Sequence, residues 1–320
     1  MSAVNISDIR GARSAMLFLI LGAFMISFSG VWVKVSHVTP IASAFYRALF
    51  GGIILLAAAS WRRELKWPRG RTLLAAFICG LFLALDLALF HYSIHYVGPG
   101  LGTILPNFQV IIIAFVGYFF LREKIRISFA ASIPLAFLGL LMIIGIDWGQ
   151  LGREYRIGVY CGLIAAGCYA GFLLSLRKLQ SDHVGVSVFY VLMTVSFATA
   201  AFLAVEIHRT ADTFKIPDIQ SLMALAALGL LSQSVGWILI TNALPHIRAS
   251  LSGFVLLLQP ALAFLWDVLF FQRPTNVMNW IGVVVALSAI YIGTAKPTHG
   301  RLKANLSKGG HKLKSPKTPA

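Results

Sequence analysis

Acidic residues are scarce in this chain, with 11 Asp and Glu among 320 residues against 27 Lys and Arg. Charged residues of both signs amount to 12%, where a soluble domain carries about a quarter. That shortage excludes a conventional water-facing surface. Cysteine is equally sparse: Cys79, Cys161 and Cys168 are the only three, too few for a disulfide framework and without a CxxC pair. Cys161 and Cys168, seven apart on one helix face, read as small packing residues. No phosphate-binding loop is present to couple ATP, and no GxSG nucleophile string occurs: "SLSG" at 250–253 has Ser250 where glycine is required. Paired membrane-depth aspartates are also missing, since only Asp86 and the shallower Asp267 qualify.

What the chain has in abundance is apolar sequence, 58% of all residues. That content excludes disorder. A bilayer core of roughly 30 Å needs about 20 apolar residues per helix. Ten stretches meet that length: 15–33, 41–60, 72–95, 101–121, 127–146, 157–176, 186–205, 221–244, 249–271 and 277–295. The nine intervening loops hold 71 residues, the longest (206–220) only 15, so no loop can house a folded domain and function must lie among the helices. The expected class is all-α and polytopic, because unpaired backbone groups in lipid would each cost several kcal/mol.

A net charge of +16 would suggest a nucleic-acid partner in a soluble protein. Here the cations sort by membrane face instead. The N-terminus, 61–71, 122–126, 177–185, 245–248 and the tail 296–320 carry 20 Lys and Arg, the opposite loops carry 6, and Arg47 lies inside a span. Both termini are expected on the cytoplasmic side, and no nucleic-acid partner is implied. Arg10 and Arg13 precede an apolar run of about 19 residues, longer than a signal-peptide core. This run reads as a retained first helix after an N-terminal segment 1–14. The tail 296–320 holds seven cations and no acid; it is expected to be disordered, either resting on anionic lipid or serving only to hold topology.

Ten spans divide into two sets of five. Five is odd, so related halves would enter the membrane from opposite sides, as an inverted repeat. At an offset of 150, residues 94–110 lie over 244–260 and match Leu101 with Leu251 and Gln109 with Gln259; at 144, Phe45-Tyr46 lies over Phe189-Tyr190. The segment "GLLSQSVGWILITNALPHIRASLSGFVLLLQPALAFLWDVLFFQRPT" (229–275) resembles the second repeat of the EamA family in the drug/metabolite transporter superfamily. "LIAAGCYAGFLLSLRKL" (163–179) is similar to that family's sixth helix and "FYRALFGGIILL" (45–56) to its second, with Arg47 on the usual arginine. "FLREKI" (120–125) resembles the acid-bearing turn after the fourth helix, at Glu123; the second copy, "FQRPT", has Arg273 where an acid is common. The resemblance implies two inverted five-helix repeats, 15–146 and 157–295, whose first four helices surround a cavity and leave 127–146 and 277–295 peripheral. It also implies a multi-pass protein of the inner (cytoplasmic) membrane, monomeric or homodimeric. The activity implied is secondary transport of a small metabolite, such as an amino acid, in the outward direction, with facilitated, exchange and proton-coupled movement all open.

Ionisable groups at membrane depth cost at least roughly 2.5–3.5 kcal/mol unless paired or wet. Arg47 and Asp86 both lie near the midplane and are expected to pair or to line the cavity together, Arg47 attracting a carboxylate and Asp86 an amine or proton. A purely structural ion pair is the alternative. Asp267, nearer the end of its helix, reads as an interfacial acid. His91 and His95 share a helix face but lack a third ligand, so no metal or cofactor is expected. Gln233, Trp237 and Thr241 form an i, i+4, i+8 stripe; Thr103, Asn107, Ala114 and Gly117 form another, whose repeat partners are Gly253, Leu257, Phe264 and Asp267. Both stripes suit either a cavity wall or helix packing. Gln109 and Gln259 are expected as paired midplane amides, Pro106 and Pro260 as kinks or gates, and Trp32 and Tyr169 as a stacking surface for a planar substrate. A channel or an intramembrane enzyme is the competing function, and neither has its own constellation here.

Overall fold

A computed structural model describes residues 6–64, 70–144, 152–182 and 187–294, the side chains of 6–13, 98–101, 144 and 182 excepted. The tail 296–320 lies outside the described residues. Among those described there is no strand, and nine helices are long and apolar enough to cross a membrane. In chain order the spans are α1 (Ser14–Val35), α2 (Pro40–Trp61), α3 (Gly70–Val97), α4 (Gly102–Phe119), the shorter α5 (Ile127–Ile143), α6 (Arg153–Ser181), α7 (Val188–Arg209), α8 (Ile219–His246), α9 (Ala249–Phe271) and α10 (Val277–Thr294). The helix of α1 begins at Ile6, so part of the expected N-terminal segment is helical. The expected loop at 96–100 is helical throughout: the α3 helix runs on to Ile104. A Cβ on Gly102 would nevertheless lie 2.8 Å from the Ile94 Cα, so the chain bends sharply there.

The most extensive interfaces are α3 with α6, α5 with α10, α2 with α7, α3 with α7, α2 with α8 and α1 with α8, followed by α4 with α6, α1 with α9 and α4 with α9. Replacing each span by the one five further along leaves this pairing scheme unchanged. Close approaches are made at glycine, where no Cβ intervenes. A Cβ on Gly139 of α5 would meet the Ala286 backbone nitrogen at 2.5 Å, and one on Gly80 of α3 would meet Ala198 of α7 at 2.5 Å.

The helix ends carry the same correspondence. After α4, Arg122 has φ 52° and the Glu123 N–H donates to Gly117 O at 2.8 Å; after α9, Gln272 has φ 50° and the Arg273 N–H reaches Asp267 O at 3.4 Å. Both turns use a left-handed residue to satisfy the last carbonyls, 150 positions apart. After α2 and α7, Arg63 and Ala211 (both φ 54°) do the same, followed by Glu64 N–H to Ala59 O at 2.9 Å and Asp212 N–H to Ile207 O at 3.0 Å. Counted from these ends, α2 and α7 correspond at 148. This spacing differs by one helical turn from the 144 read from residue identities.

Irregular segments interrupt α4, α9 and α8. In α4 the helix tightens to a 3-10 turn at Leu105–Phe108, which contains Pro106. In α9 the break falls at Leu256 and Leu257, between helices Ala249–Val255 and Leu258–Phe271, so Pro260 sits in the first turn after it. In α8 the segment Leu228–Gly236 is a π-helix, an i→i+5 arrangement found mostly as short bulges at functional sites.

Candidate functional site

A cavity of about 1440 Å³ lies between the two sets of spans. Lys34, Thr39, Asp212 and Arg273 line it, so it opens on the face formed by the connections 34–40, 206–220 and 272–276. Its depth is set by Arg47 and Asp86, which both line it. Thr39 caps α2 by accepting the Ala42 N–H at 3.2 Å, with Pro40 in the first turn, which starts the helix two turns before Arg47. Asp86 sits deep in α3 with 8% of its surface exposed. Arg47, Asp86 and Tyr169 are close enough to interact electrostatically, but no salt bridge joins Arg47 to Asp86 among the described residues. The Arg47 Nε donates instead to Gln233 Oε1 at 3.1 Å, and Gln233 Nε2 donates to Ser196 Oγ at 3.0 Å.

Trp237, Tyr169, Asn107, Pro106, Gln259 and Pro260 also line the cavity. Trp237 packs edge-on against Phe172 at 4.8 Å between ring centres, and the Tyr169 hydroxyl lies beside the Gln259 amide. Asn107 spends its amide N–H on Thr103 O at 2.7 Å in its own helix. The stripe expected on α8 does not run unbroken: Gln233 lies in the π segment behind Arg47, Trp237 faces the cavity, and Thr241 is fully buried with its hydroxyl unpartnered. The two glutamines also differ. Gln259 faces the cavity with an unpartnered Nε2, whereas Gln109 is fully buried between α4 and α9, donating to Gly253 O at 3.2 Å and leaving Oε1 without a partner. Trp32 is half-buried and outside the cavity lining, its indole N–H unpartnered. His91 and His95 line the cavity, and His91 Nδ1 hydrogen-bonds the Leu87 carbonyl of its own helix.

The mouth is polar. Asp267 lies 2.7 Å from Lys34 Nζ and 3.7 Å from Arg273, so this acid is ion-paired rather than simply hydrated at the interface. Thr39 donates to Asp212 at 2.6 Å, Tyr46 to the Phe214 carbonyl and Tyr92 to Glu206. Nearby, Asp218 caps α8 by accepting the Ser221 N–H at 2.7 Å, which holds its carboxyl below the ordinary aspartate value. The opposite face is sealed. Glu123 accepts from Ala249 N–H at 2.6 Å, Ser250 N–H at 3.2 Å and Ser250 Oγ at 2.6 Å, with Arg177 3.7 Å away.

Ser196, Ser250 and Glu206 were not legible as site residues in the sequence. Ser196 is a lone hydroxyl within an apolar run, and Glu206 with Arg209 looks like an ordinary i, i+3 pair. The one available signal was a polar atom inside a span without a local partner, and Ser196 carries it.

A cavity at membrane depth, opposite charges facing it from within the spans and helix pairs that repeat after five spans describe a membrane transport protein. The EamA-like transporter family model matches residues 13–145 and again 156–294, and the chain belongs to that family. It is similar to the uncharacterized transporter YwfM of Bacillus subtilis, 23% identical over 88% of this chain and 94% of that protein. It is similar also to the pseudopaline exporter CntI of Pseudomonas aeruginosa, 23% identical over 89% of this chain and 97% of that protein. A solved crystal structure shares the fold with a TM-score of 0.75 at 18% identity, covering 88% of this chain and 98% of the other. The chain is thus a multi-pass membrane transporter whose surroundings are a lipid bilayer and whose substrate is a small molecule.

Proposed function

We propose that this chain moves a small amphipathic zwitterion, an amino acid or a related metabolite, outward across the inner membrane by alternating access between two inverted repeats, 15–146 and 157–295. The observation that carries this reading is that Arg47 and Asp86 face one cavity without touching. Two opposite charges held apart at membrane depth leave room for a ligand bearing both complements, a carboxylate toward Arg47 and an ammonium toward Asp86. Trp237 and Tyr169 supply apolar surface between them, and the Gln259 amide a further donor. The repeat is supported by the double family match and the matched turns. The charge distribution supports cytoplasmic termini, which makes the open mouth outward-facing and the Glu123 seal cytoplasmic. The exporter among its relatives supports outward movement.

The test is counterflow in proteoliposomes with a panel of amino acids, their methyl esters and their deaminated acids. Arg47→Gln is expected to lower the apparent affinity of acids roughly tenfold or more, the worth of one charged hydrogen bond, while sparing esters; Asp86→Asn spares the deaminated acids. Full transport by both variants, correctly inserted, rejects the site. Flux that responds to a pH gradient and loses that response in Asp86→Asn supports proton coupling; flux indifferent to pH supports exchange or facilitated movement.

A further inference from the structure

Arg47 could satisfy Asp86 by swinging toward it, since both sit in one low-dielectric cavity and attract each other. It does not, and the reason lies behind it. Gln233 Oε1 takes the Nε of Arg47 at 3.1 Å, and the same amide is fixed at its other end by donation to Ser196 Oγ at 3.0 Å. Gln233 can reach because α8 passes α2 at unusually close range. A Cβ on Gly51 would lie 2.4 Å from the Gln233 Cγ, and one on Gly229 would lie 2.8 Å from the Phe50 Cβ. The π segment Leu228–Gly236 presents Gln233 to that gap, and Ser234 Oγ ties it down by bonding Gly229 O at 2.9 Å and Gly51 O at 3.3 Å.

We propose that Gln233 is a positioning residue for anion recognition: by occupying Nε it turns the two terminal nitrogens of Arg47 into the cavity as an end-on fork and holds them off Asp86. A guanidinium offers either a side-on face, through Nε and one terminal nitrogen, or an end-on face through both terminal nitrogens. With Nε taken, only the end-on face is left for a ligand, which suits the two oxygens of a carboxylate. Arg47, a donor only, takes the amide oxygen of Gln233, and Ser196 anchors the amide at its nitrogen end. The proposal rests on the reading of this cavity as the substrate site, but its test does not depend on knowing the substrate.

Phenylglyoxal, a dicarbonyl that condenses with both terminal nitrogens of a guanidinium, is applied to the purified full chain in nanodiscs, and modification of Arg47 is followed by peptide mass spectrometry. Wild type is expected to be modified from the cavity. Gln233→Met, which keeps the volume and removes the acceptor, is expected to slow Arg47 modification roughly tenfold as the side chain collapses onto Asp86. Adding Asp86→Asn to Gln233→Met is expected to restore the rate, a rescue that a purely structural Gln233 would not produce. Ser196→Ala, a milder change, is expected to give an intermediate rate and serves if Gln233→Met fails to fold. An Arg47 that is unreactive in wild type, or that reacts at the wild-type rate in Gln233→Met or Ser196→Ala, overturns the proposal. Loss of amino-acid transport with this reactivity pattern intact would reject the substrate class and leave the positioning role standing.

Discussion

The carboxylate of Glu123 receives the Ser250 hydroxyl at 2.6 Å across 127 residues of sequence, joining the turn after α4 to the first turn of α9. Two backbone N–H groups, of Ala249 and Ser250, complete the seal. These donors lie at the start of a helix, where unpaired N–H groups favour an anion. Beneath them Gln109, Ile113 and Gly253 close off the core. Losing a buried acceptor of this kind costs roughly 1–3 kcal/mol, enough to weaken the closure of this face.

Glu123→Ala is therefore expected to open the sealed face. A cysteine placed at Ser252, in a background without the three native thiols, should label from that face about fivefold faster or more, as that free energy implies. Unchanged labelling would show that the seal is held by packing alone.

Asp267 should behave differently. Its partner Lys34 is half-exposed and Arg273 nearly so, and exposed ion pairs are worth about 0–1 kcal/mol. Asp267→Asn is expected to leave stability within about 1 kcal/mol of wild type, with any effect on substrate entry vanishing at high salt. A larger, salt-independent change in melting temperature contradicts this.

Gln109 holds a buried, unpartnered oxygen in the α4–α9 contact while Gln259 faces the cavity. If the two exchange environments as the carrier turns over, Gln109→Met should slow maximal transport severalfold with little change in half-saturation from the open side. Gln259→Met should do the reverse. Parallel effects in both variants count against the exchange.

The contact of α5 with α10 depends on Gly139, whose added Cβ would meet the Ala286 backbone. Gly139→Leu overpacks that contact and is expected to destabilise the protein by about 1–3 kcal/mol, read as a lowered melting temperature in detergent. A wild-type melt would mean that the pair slides apart freely.

At the mouth, Asp218 holds its proton more weakly than an ordinary aspartate because it accepts the Ser221 N–H. A depressed carboxyl stabilises the fold above the ordinary value and stops doing so as pH falls through the lowered one. With His37, 3.6 Å away, replaced by Ala in both proteins, the melting difference between Asp218 and Asp218→Asn should be constant above about pH 5 and shrink only in stronger acid. A difference that grows on acidification contradicts the cap.

The spans were legible because long apolar runs have few alternatives, and Arg47 and Asp86 because charge is conspicuous inside them. What could not be read were pairings across more than a hundred residues, such as Arg47 with Gln233 or Glu123 with Ser250. The i, i+4, i+8 stripe through Gln233 assumed a regular α-helix, and the π segment moves Gln233 out of register with Trp237. Residue identities set α2 against α7 one turn away from the spacing of their capped ends because apolar helices resemble themselves at every turn; the capped ends depend on backbone angles.

The turns after α4 and α9 share a backbone and carry opposite charge, Glu123 in one and Arg273 in the other. Glu123 reaches across to the start of α9, whereas Arg273 pairs with Asp267 and lies over Phe264 of its own helix. No carrier decides by its own structure which way a gradient runs, but under the proposed alternating access a cross-helix bond at one face without its counterpart at the other would bias where it idles between cycles. Such a protein would wait with one door ajar, filling at low solute concentration from that side and needing far more from the other.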